Sequence, residues 1–363
     1  MKKSIAIITL YGEKNFGNKL QNYATQVFFT EMGLNCKTIK YCRRNIFYDK
    51  ILKVKYEIFS RLGLRPKIPY SQRKREKNFR NFTRKYINMG ETVNYNKIPL
   101  NLKKKYNYFV TGSDQVWHNY SETEAEINYF MLSFAKPEQR LTISPSFGIK
   151  IDEVSNKFFL NYKKGLDGFK KLSCREEEAA VIIKRISGRD ALVTLDPTML
   201  ISKVYWNNML KQPSNAISKK FLLLYFLGGI SEEIKSYLNN MVQIYGLQVV
   251  DLYDINNVDL YTTSPDEFLW WIKNAALVAT DSFHSTVFSI IFKIPFITYS
   301  RVNGEGMEDR IDTLLEKFGL LERKNIMNNL AKVFQVDFGH VDKTLEDEVR
   351  LVKDFYSSII EKD

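Results

Sequence analysis

Residues 281–297 read Asp-Ser-Phe-His-Ser-Thr-Val-Phe-Ser-Ile-Ile-Phe-Lys-Ile-Pro-Phe-Ile, and they put a histidine where an anion is most easily handled. The run Ala276–Thr280 before them predicts a buried strand. Val287–Phe292 predicts a buried helix, and Pro295–Tyr299 the next strand. His284 then falls in the first turn of a helix that follows the C-terminal end of a strand, where open α/β sheets bind ligands. The unpaired backbone N–H groups of such a turn favour an anion. An imidazole there adds a hydrogen bond and a transferable proton near neutral pH. The chain has three histidines, His118, His284 and His340, so the choice of imidazoles is small.

Other strand exits carry polar side chains. The first strand runs into Tyr11-Gly12-Glu13-Lys14-Asn15-Phe16-Gly17-Asn18. Its glycines let backbone approach a ligand, and Asn18 is a candidate cap for the helix that follows. A plain capped turn explains this loop about as well as a binding loop with Asn15 and Asn18 does. Tyr108–Thr111 leads to Gly112-Ser113-Asp114-Gln115-Val116-Trp117, where hydroxyl, carboxylate and amide partners next to an aromatic face suit a sugar. The competing reading is an Asx-turn with Trp117 in the core. Arg175 stands at another strand-to-helix junction, and its planar fork matches carboxylate or phosphate. Asp196-Pro197-Thr198 reads as a structural turn. Arg301 follows the strand after His284. Arg310 opens the next helix, as a site residue or as a surface ion-pair partner.

The elements that must position these residues alternate strand and helix, which predicts an α/β fold with largely parallel sheets. Strands are expected at 4–10, 36–41, 107–112, 140–146, 171–174 and 191–195, then at 221–227, 248–252, 277–280 and 296–299. Helices are expected at 18–32, 45–86, 153–169, 176–187, 231–244, 265–274, 283–293 and 308–318, with a last one at about 342–361. The loosened pattern after Asp196 divides the chain into an α/β domain 1–205 with a basic helical insertion 42–90, an α/β domain 206–340 and a C-terminal helix 341–363. A central cleft would gather strand-end loops from both α/β domains.

Composition narrows the classes. Of 363 residues 44% are hydrophobic and 26% charged, as in a soluble globular protein, and no apolar run is long enough to span a bilayer. Lys2-Lys3 before a short apolar run reads as the lead into a first strand rather than a signal peptide. Cys36, Cys42 and Cys174 have neither metal nor disulfide spacing, and the cytoplasm is the expected compartment. His-Glu-x-x-His, Cys-x-x-Cys, Gly-x-Ser-x-Gly, Gly-x-Gly-x-x-Gly and P-loop patterns are absent, so no metal site is expected. The net charge of +13 is concentrated: residues 42–86 hold fifteen Lys or Arg against Asp49, Glu57 and Glu76. Phe47, Ile51, Val54, Ile58 and Leu62 recur there at helical spacing. A solvated helical insertion packed on its own domain accounts for this segment, and so does a surface for anionic lipid or a lipid-diphosphate substrate. Nucleic acid is not expected, since no nucleic-acid motif accompanies the charge.

Taken in order, Asn15–Ala24, Thr111–Trp117, Ser144–Gly148, Ser173–Glu176, Asp196–Leu200, Asp281–His284, Arg301 and Arg310 resemble the polysaccharide pyruvyl transferase family. The resemblance implies two Rossmann-like domains in a glycosyltransferase-B-like arrangement. It also implies transfer of the enolpyruvyl unit of phosphoenolpyruvate onto a sugar, closing a cyclic ketal. It assigns Arg175 and His284 to phosphoenolpyruvate. One position departs: many members read Arg-Leu-His where this chain has Ser282-Phe283-His284. Arg301 is then the expected source of the missing charge, in a donor set of Arg175, Ser282, Phe283, His284 and Arg301.

Ketal formation needs a proton at the methylene carbon and a base at the acceptor hydroxyl. His284 is assigned to donor phosphate and proton transfer, and Asp114 to the acceptor hydroxyl. The acceptor set is Asn15, Asn18, Ser113, Asp114, Gln115 and Trp117. No cofactor is required, because Arg and His can neutralise the leaving phosphate. The expected acceptor is a saccharide, free or lipid-diphosphate-linked, met in the cytoplasm or at the inner membrane face. Two other classes share these features. A nucleotide-sugar glycosyltransferase would be protected by a nucleoside diphosphate. A non-catalytic carbohydrate-binding protein would bind sugar without releasing phosphate.

Overall fold

The computed structural model describes residues 2–12, 14–42, 51, 54–55, 58–60, 66, 68–118, 123–154, 159–302, 308–327 and 330–360. Phe47 and Leu62 of the proposed amphipathic stripe lie outside them.

Two parallel sheets organise the chain. The first has the order β3-β2-β1-β4-β5 (Met89–Asn94, Asn35–Cys42, Ser4–Ile8, Tyr108–Asp114, Arg140–Pro145). The second has the order β11-β10-β8-β9 (Phe296–Thr298, Leu277–Thr280, Phe221–Tyr225, Gln248–Asp251). A short parallel pair, β6 (Ser173–Cys174) and β7 (Leu192–Val193), continues beyond β5 through side-chain bonds: Ser173 N–H donates to Thr142 Oγ1 at 2.7 Å. The central strands are continuous apolar runs, as strands covered on both faces must be. Ile5, Ala6, Ile7 and Ile8 have no exposed surface, and neither do Leu277, Val278 and Ala279.

Strand order reverses between β1 and β4 in the first sheet, and between β8 and β10 in the second. These are the switch points where loops diverge and leave a crevice at the carboxyl ends of the strands. The helices leaving those ends are α1 (Phe16–Glu31) after β1 and, further on, α2 (Tyr70–Tyr86), α3 (Glu177–Ser187), α4 (Pro197–Leu200), α5 (Pro265–Asn274), α6 (Phe283–Phe292), α7 (Asp309–Lys317) and α8 (Val341–Ser357).

Several elements differ from expectation, among them unexpected short helices at Glu124–Phe130 and Lys203–Met209. α1 starts at Phe16, two residues early, because Asn15 and not Asn18 is its cap: Asn15 Oδ1 accepts from Asn18 N–H at 3.3 Å. β3 is an edge strand that buries only Val93 of its six residues, so its sequence shows no alternation. The basic stretch 70–86 packs on the second half of the chain as well as on its own domain. α2 buries Arg75, Phe79 and Phe82, and Arg75 donates to the carbonyls of Tyr261 and Lys14. Its guanidinium lies 4.8, 5.2 and 4.9 Å from the ring centres of Phe16, Phe79 and Tyr261. Asn78 Nδ2 donates to Thr262 O at 2.6 Å, and Phe16 stacks on Phe268 at 4.3 Å. α2 is therefore a strut from the first sheet's helices to those of the second. The last helix, α8, also crosses back: Tyr356 packs on Phe28 and Phe29 of α1.

Candidate functional site

The carboxyl ends of β4, β6, β7 and β10 converge on one buried carboxylate, Asp196. Pro197 occupies the first turn of α4, where its missing N–H costs nothing. The Asp196 side chain caps that turn, with Oδ1 accepting from Thr198 N–H at 3.0 Å and from Thr198 Oγ1 at 2.7 Å. The other oxygen, Oδ2, accepts from Ser113 Oγ at 2.7 Å and from Arg175 Nη1 at 3.2 Å. His284 Nε2 lies 3.7 Å from the same oxygen, within ion-pair range but beyond a hydrogen bond. Burial alone would raise the carboxyl's pKa. The imidazole, the Arg175 guanidinium and the Ser113 hydroxyl outweigh it and hold the group well below the usual carboxylate range.

Arg175 is fully enclosed by acids. Besides Asp196 it meets Asp114 Oδ1 at 3.5 Å and Glu176 Oε2 at 3.7 Å, and its face lies 4.4 Å from the Phe283 ring centre. Burial would lower its pKa, but the three carboxylates reverse the sign. Asp114 has a left-handed backbone (φ 70°), a conformation Asp tolerates better than most side chains. It receives Gln115 N–H at 3.0 Å.

His284 is held from two sides. Ser282 caps α6, its hydroxyl accepting from Ser285 N–H at 3.5 Å, which places the histidine in the first turn. The imidazole then rests on Gly17 of α1: a Cβ at that glycine would stand 2.0 Å from His284 Nδ1. The glycine of the Asn-Phe-Gly-Asn loop thus makes room for the histidine.

Arg310 is the residue the sequence left undecided, and it is buried. It lines a narrow crevice with Arg175, Asp196 and Phe283, and a second one with Asp281, Ser300, Arg301 and Lys324. Its Nε has no hydrogen-bond partner among the described residues. Burial, then the nearby Arg175, push its pKa down to about 10. An anion placed there would relieve both causes. His118, half-buried, is held at about 4 by burial and then by Arg310, so it is neutral at physiological pH.

The sequence-predicted residues sort into groups. His284, Arg175, Asp114 and Phe283 come together around Asp196, and Ser282 caps the helix that carries His284. Arg301 stands apart: its Nε meets Asp281 Oδ2 at 3.2 Å, and Asp281 also receives Leu227 N–H and Gly228 N–H at 2.7 Å each across the β8/β10 switch point. Ser113 is wholly buried and occupied by Asp196, and Asn15 is spent on its cap. Asn18 and Gln115 are half-buried, and Gln115 Nε2 is unpartnered among the described residues. Trp117 is a correction. It is 1% exposed, packs on Phe147 and Phe169, and donates from Nε1 to Phe130 O at 3.5 Å, so it offers no face to a sugar. Sequence reasoning missed Asp196 and Glu176 as site members. Their local signals, Asp before Pro and Glu before a helix, are those of ordinary caps. No cluster of His, Cys, Asp and Glu among the described residues could hold a metal ion, and no described helix is long and apolar enough to cross a membrane.

A family model described as polysaccharide pyruvyl transferase matches residues 15–302. No curated protein matches the chain. Among solved structures the chain is similar to a Listeria monocytogenes protein provisionally assigned as a UDP-N-acetylglucosamine 2-epimerase. The identity is 10% and the TM-score 0.50, with 100% of this chain and 98% of that one covered. It also aligns with the UDP-N-acetylglucosamine 2-epimerase of Methanocaldococcus jannaschii at 15% identity and TM-score 0.45, covering 97% and 99%. The first likeness is one of fold, and with the two parallel sheets it makes the architecture glycosyltransferase-B-like.

Proposed function

The chain belongs to the polysaccharide pyruvyl transferase family, and from that premise we propose that it moves the enolpyruvyl unit of phosphoenolpyruvate onto a saccharide, closing a cyclic ketal and releasing phosphate. The observation that carries the donor assignment is the buried guanidinium of Arg310 beside Arg175, Phe283 and Asp196, its Nε without a hydrogen-bond partner among the described residues. Phosphoenolpyruvate brings a carboxylate and a phosphate on one small skeleton. Arg310 supplies open donors, and the first turn of α6 supplies backbone N–H groups that lack intrahelical partners.

Arg175, already shared among three carboxylates, acts chiefly by holding Asp114 and Asp196 in place. The arginine that many members carry at the position of Ser282 is replaced by Arg310, not by Arg301, which Asp281 engages. His284, fixed between Gly17 and Asp196, delivers a proton to the methylene carbon. Asp114 orients and deprotonates the attacking sugar hydroxyl at the rim of the same cluster. Attack on the adjacent carbon and loss of phosphate give an oxocarbenium-like centre, and the second hydroxyl closes the ring. The residues named need no metal or organic cofactor to neutralise the leaving phosphate. We assign the acceptor to a polysaccharide repeat or its lipid-diphosphate-linked precursor.

Thermal unfolding with phosphoenolpyruvate, and separately with nucleoside diphosphates, tests this reading in the wild type and in His284→Ala. A ligand at a hundred times its Kd stabilises by about 2.7 kcal/mol. A shift with phosphoenolpyruvate that the variant loses is expected. A shift with a nucleoside diphosphate alone would replace pyruvyl transfer by glycosyl transfer.

A further inference from the structure

Ile51, Val54 and Ile58 are helical and 61%, 57% and 52% exposed. Their steps of three and four set them on one face of a helix. Lys55 is exposed at the edge of that face, its Nζ 5.6 Å from the centre of the Phe59 ring. Apolar side chains scattered singly over a surface need no explanation, but a stripe of three on one face with a lysine border does. A second feature lies on α2. Arg73, Lys77 and Arg84 are exposed at steps of four and seven, on the side away from the buried Arg75, Phe79 and Phe82. Within 42–86 the excess of basic residues is twelve.

We propose that this region docks the protein on an anionic lipid surface. The stripe of Ile51, Val54 and Ile58 enters the boundary between headgroups and acyl chains, and the α2 ridge supplies the attraction to anionic headgroups. A narrow apolar face bordered by Lys55, in a segment with a basic excess of twelve, has the composition of helices that lie in a bilayer interface. The charge decides for a lipid surface over an apolar protein groove. A groove would satisfy the stripe but leave Lys55 and the exposed Arg73, Lys77 and Arg84 unmatched, whereas an anionic leaflet satisfies both. Arg75 and Lys74 take no part. The first is buried between the two halves, and the second pairs with Asp259 at 2.9 Å. Docking does not depend on the pyruvyl-transfer reading, so the two succeed or fail separately.

Co-sedimentation of the full chain with vesicles of phosphatidylglycerol in phosphatidylcholine, against phosphatidylcholine alone, tests it. Partition to the anionic vesicles is expected, weakening steeply with salt as surface charges are screened. Ile51→Ser/Val54→Ser/Ile58→Ser should lose on the order of tenfold or more in partition, and Arg73→Gln/Lys77→Gln/Arg84→Gln a comparable factor at low salt. Leu100→Ser, at a site 86% exposed outside this region, should change nothing. All these positions are exposed, so an unchanged Tm certifies the fold of each variant. Absence of wild-type partition, equal partition by the stripe variant, or equal binding to both vesicle types would overturn the proposal.

Discussion

Gly17 and His284, 267 positions apart in the chain, are in contact, with room at the glycine for a hydrogen and not for a methyl group. Gly17 lies inside the first turn of α1, where alanine is the better helix former by roughly 1 kcal/mol. Gly17→Ala should therefore fold, but it must displace the imidazole. A misplacement of about 1 Å can cost on the order of 100-fold in rate. We expect a loss of ten- to 100-fold in kcat, in that order of magnitude, with Tm nearly unchanged. Steady-state kinetics with a calorimetric scan checks both halves of the statement.

Asp196→Asn tests the centre of the cluster. Removing the charge leaves Arg175 and His284 facing a neutral amide in a buried place, and breaking such a pair costs on the order of 3–5 kcal/mol. Asp114 and Glu176 still face Arg175, so the lower end is expected. The wild-type carboxyl titrates below its unfolded value, so its contribution is present above pH about 4 and fades as the pH falls further. Denaturant midpoints of the two proteins should be far apart at neutral pH and converge in acid. A constant gap would mean that shape, not charge, is what Asp196 provides.

Arg310→Lys keeps the positive charge and removes the Nε donor. Hydrogen bonds to charged groups contribute about 1.5–3 kcal/mol, so phosphoenolpyruvate should bind roughly ten- to 100-fold more weakly by titration calorimetry. Arg301→Lys is the comparison. Its guanidinium is committed to Asp281, and its replacement should lower Tm more than donor affinity. The reverse ranking would return the donor role to Arg301.

Asp309 offers a pH test of α7. A carboxylate in the first turn of a helix is ordinarily favoured by the helix dipole. Here burial, together with Glu176, Glu178 and Asp312, wins and raises the group to about 6, although Glu178 N–H donates to it at 3.1 Å. The folded chain thus binds this proton more tightly than the unfolded one, and stability falls as pH rises from about 4 through about 6. Asp309→Asn keeps the acceptor and removes the charge. It should raise Tm above pH about 6 and do little below about 4.

The ends of β4 and β10 are legible because the apolar runs Tyr108–Val110 and Leu277–Ala279 stop abruptly at polar residues. His284 and Asp114 follow from that rule, and Arg175 from its place between the short strand β6 and α3. Trp117 was not legible, since an indole beside Ser, Asp and Gln has the same local sequence whether it faces a sugar or Phe147. Asp196 reads as a turn because its partners Ser113, Arg175 and His284 lie on other elements, and Arg310 reads as a surface charge because its burial beside Arg175, Asp196 and Phe283 leaves no local trace. Arg75 hides for the opposite reason. It stands among many basic residues on α2, and only the rings of Phe16, Phe79 and Tyr261 distinguish it from the others.

The return of α8 to the first half separates the order of synthesis from the order of folding. Tyr356 lies over Phe28 and Phe29, its ring centre 5.7 and 5.1 Å from theirs, and its hydroxyl donates to Thr142 O of β5. The ribosome completes the first sheet early, yet Phe28 and Phe29 lack the cover of Tyr356 until residues 341–357 emerge. Throughout that interval the nascent chain presents an oily patch that a holdase can grip or a neighbouring nascent chain can stick to. Expression yield should thus depend on the last helix more than its distance from His284 suggests.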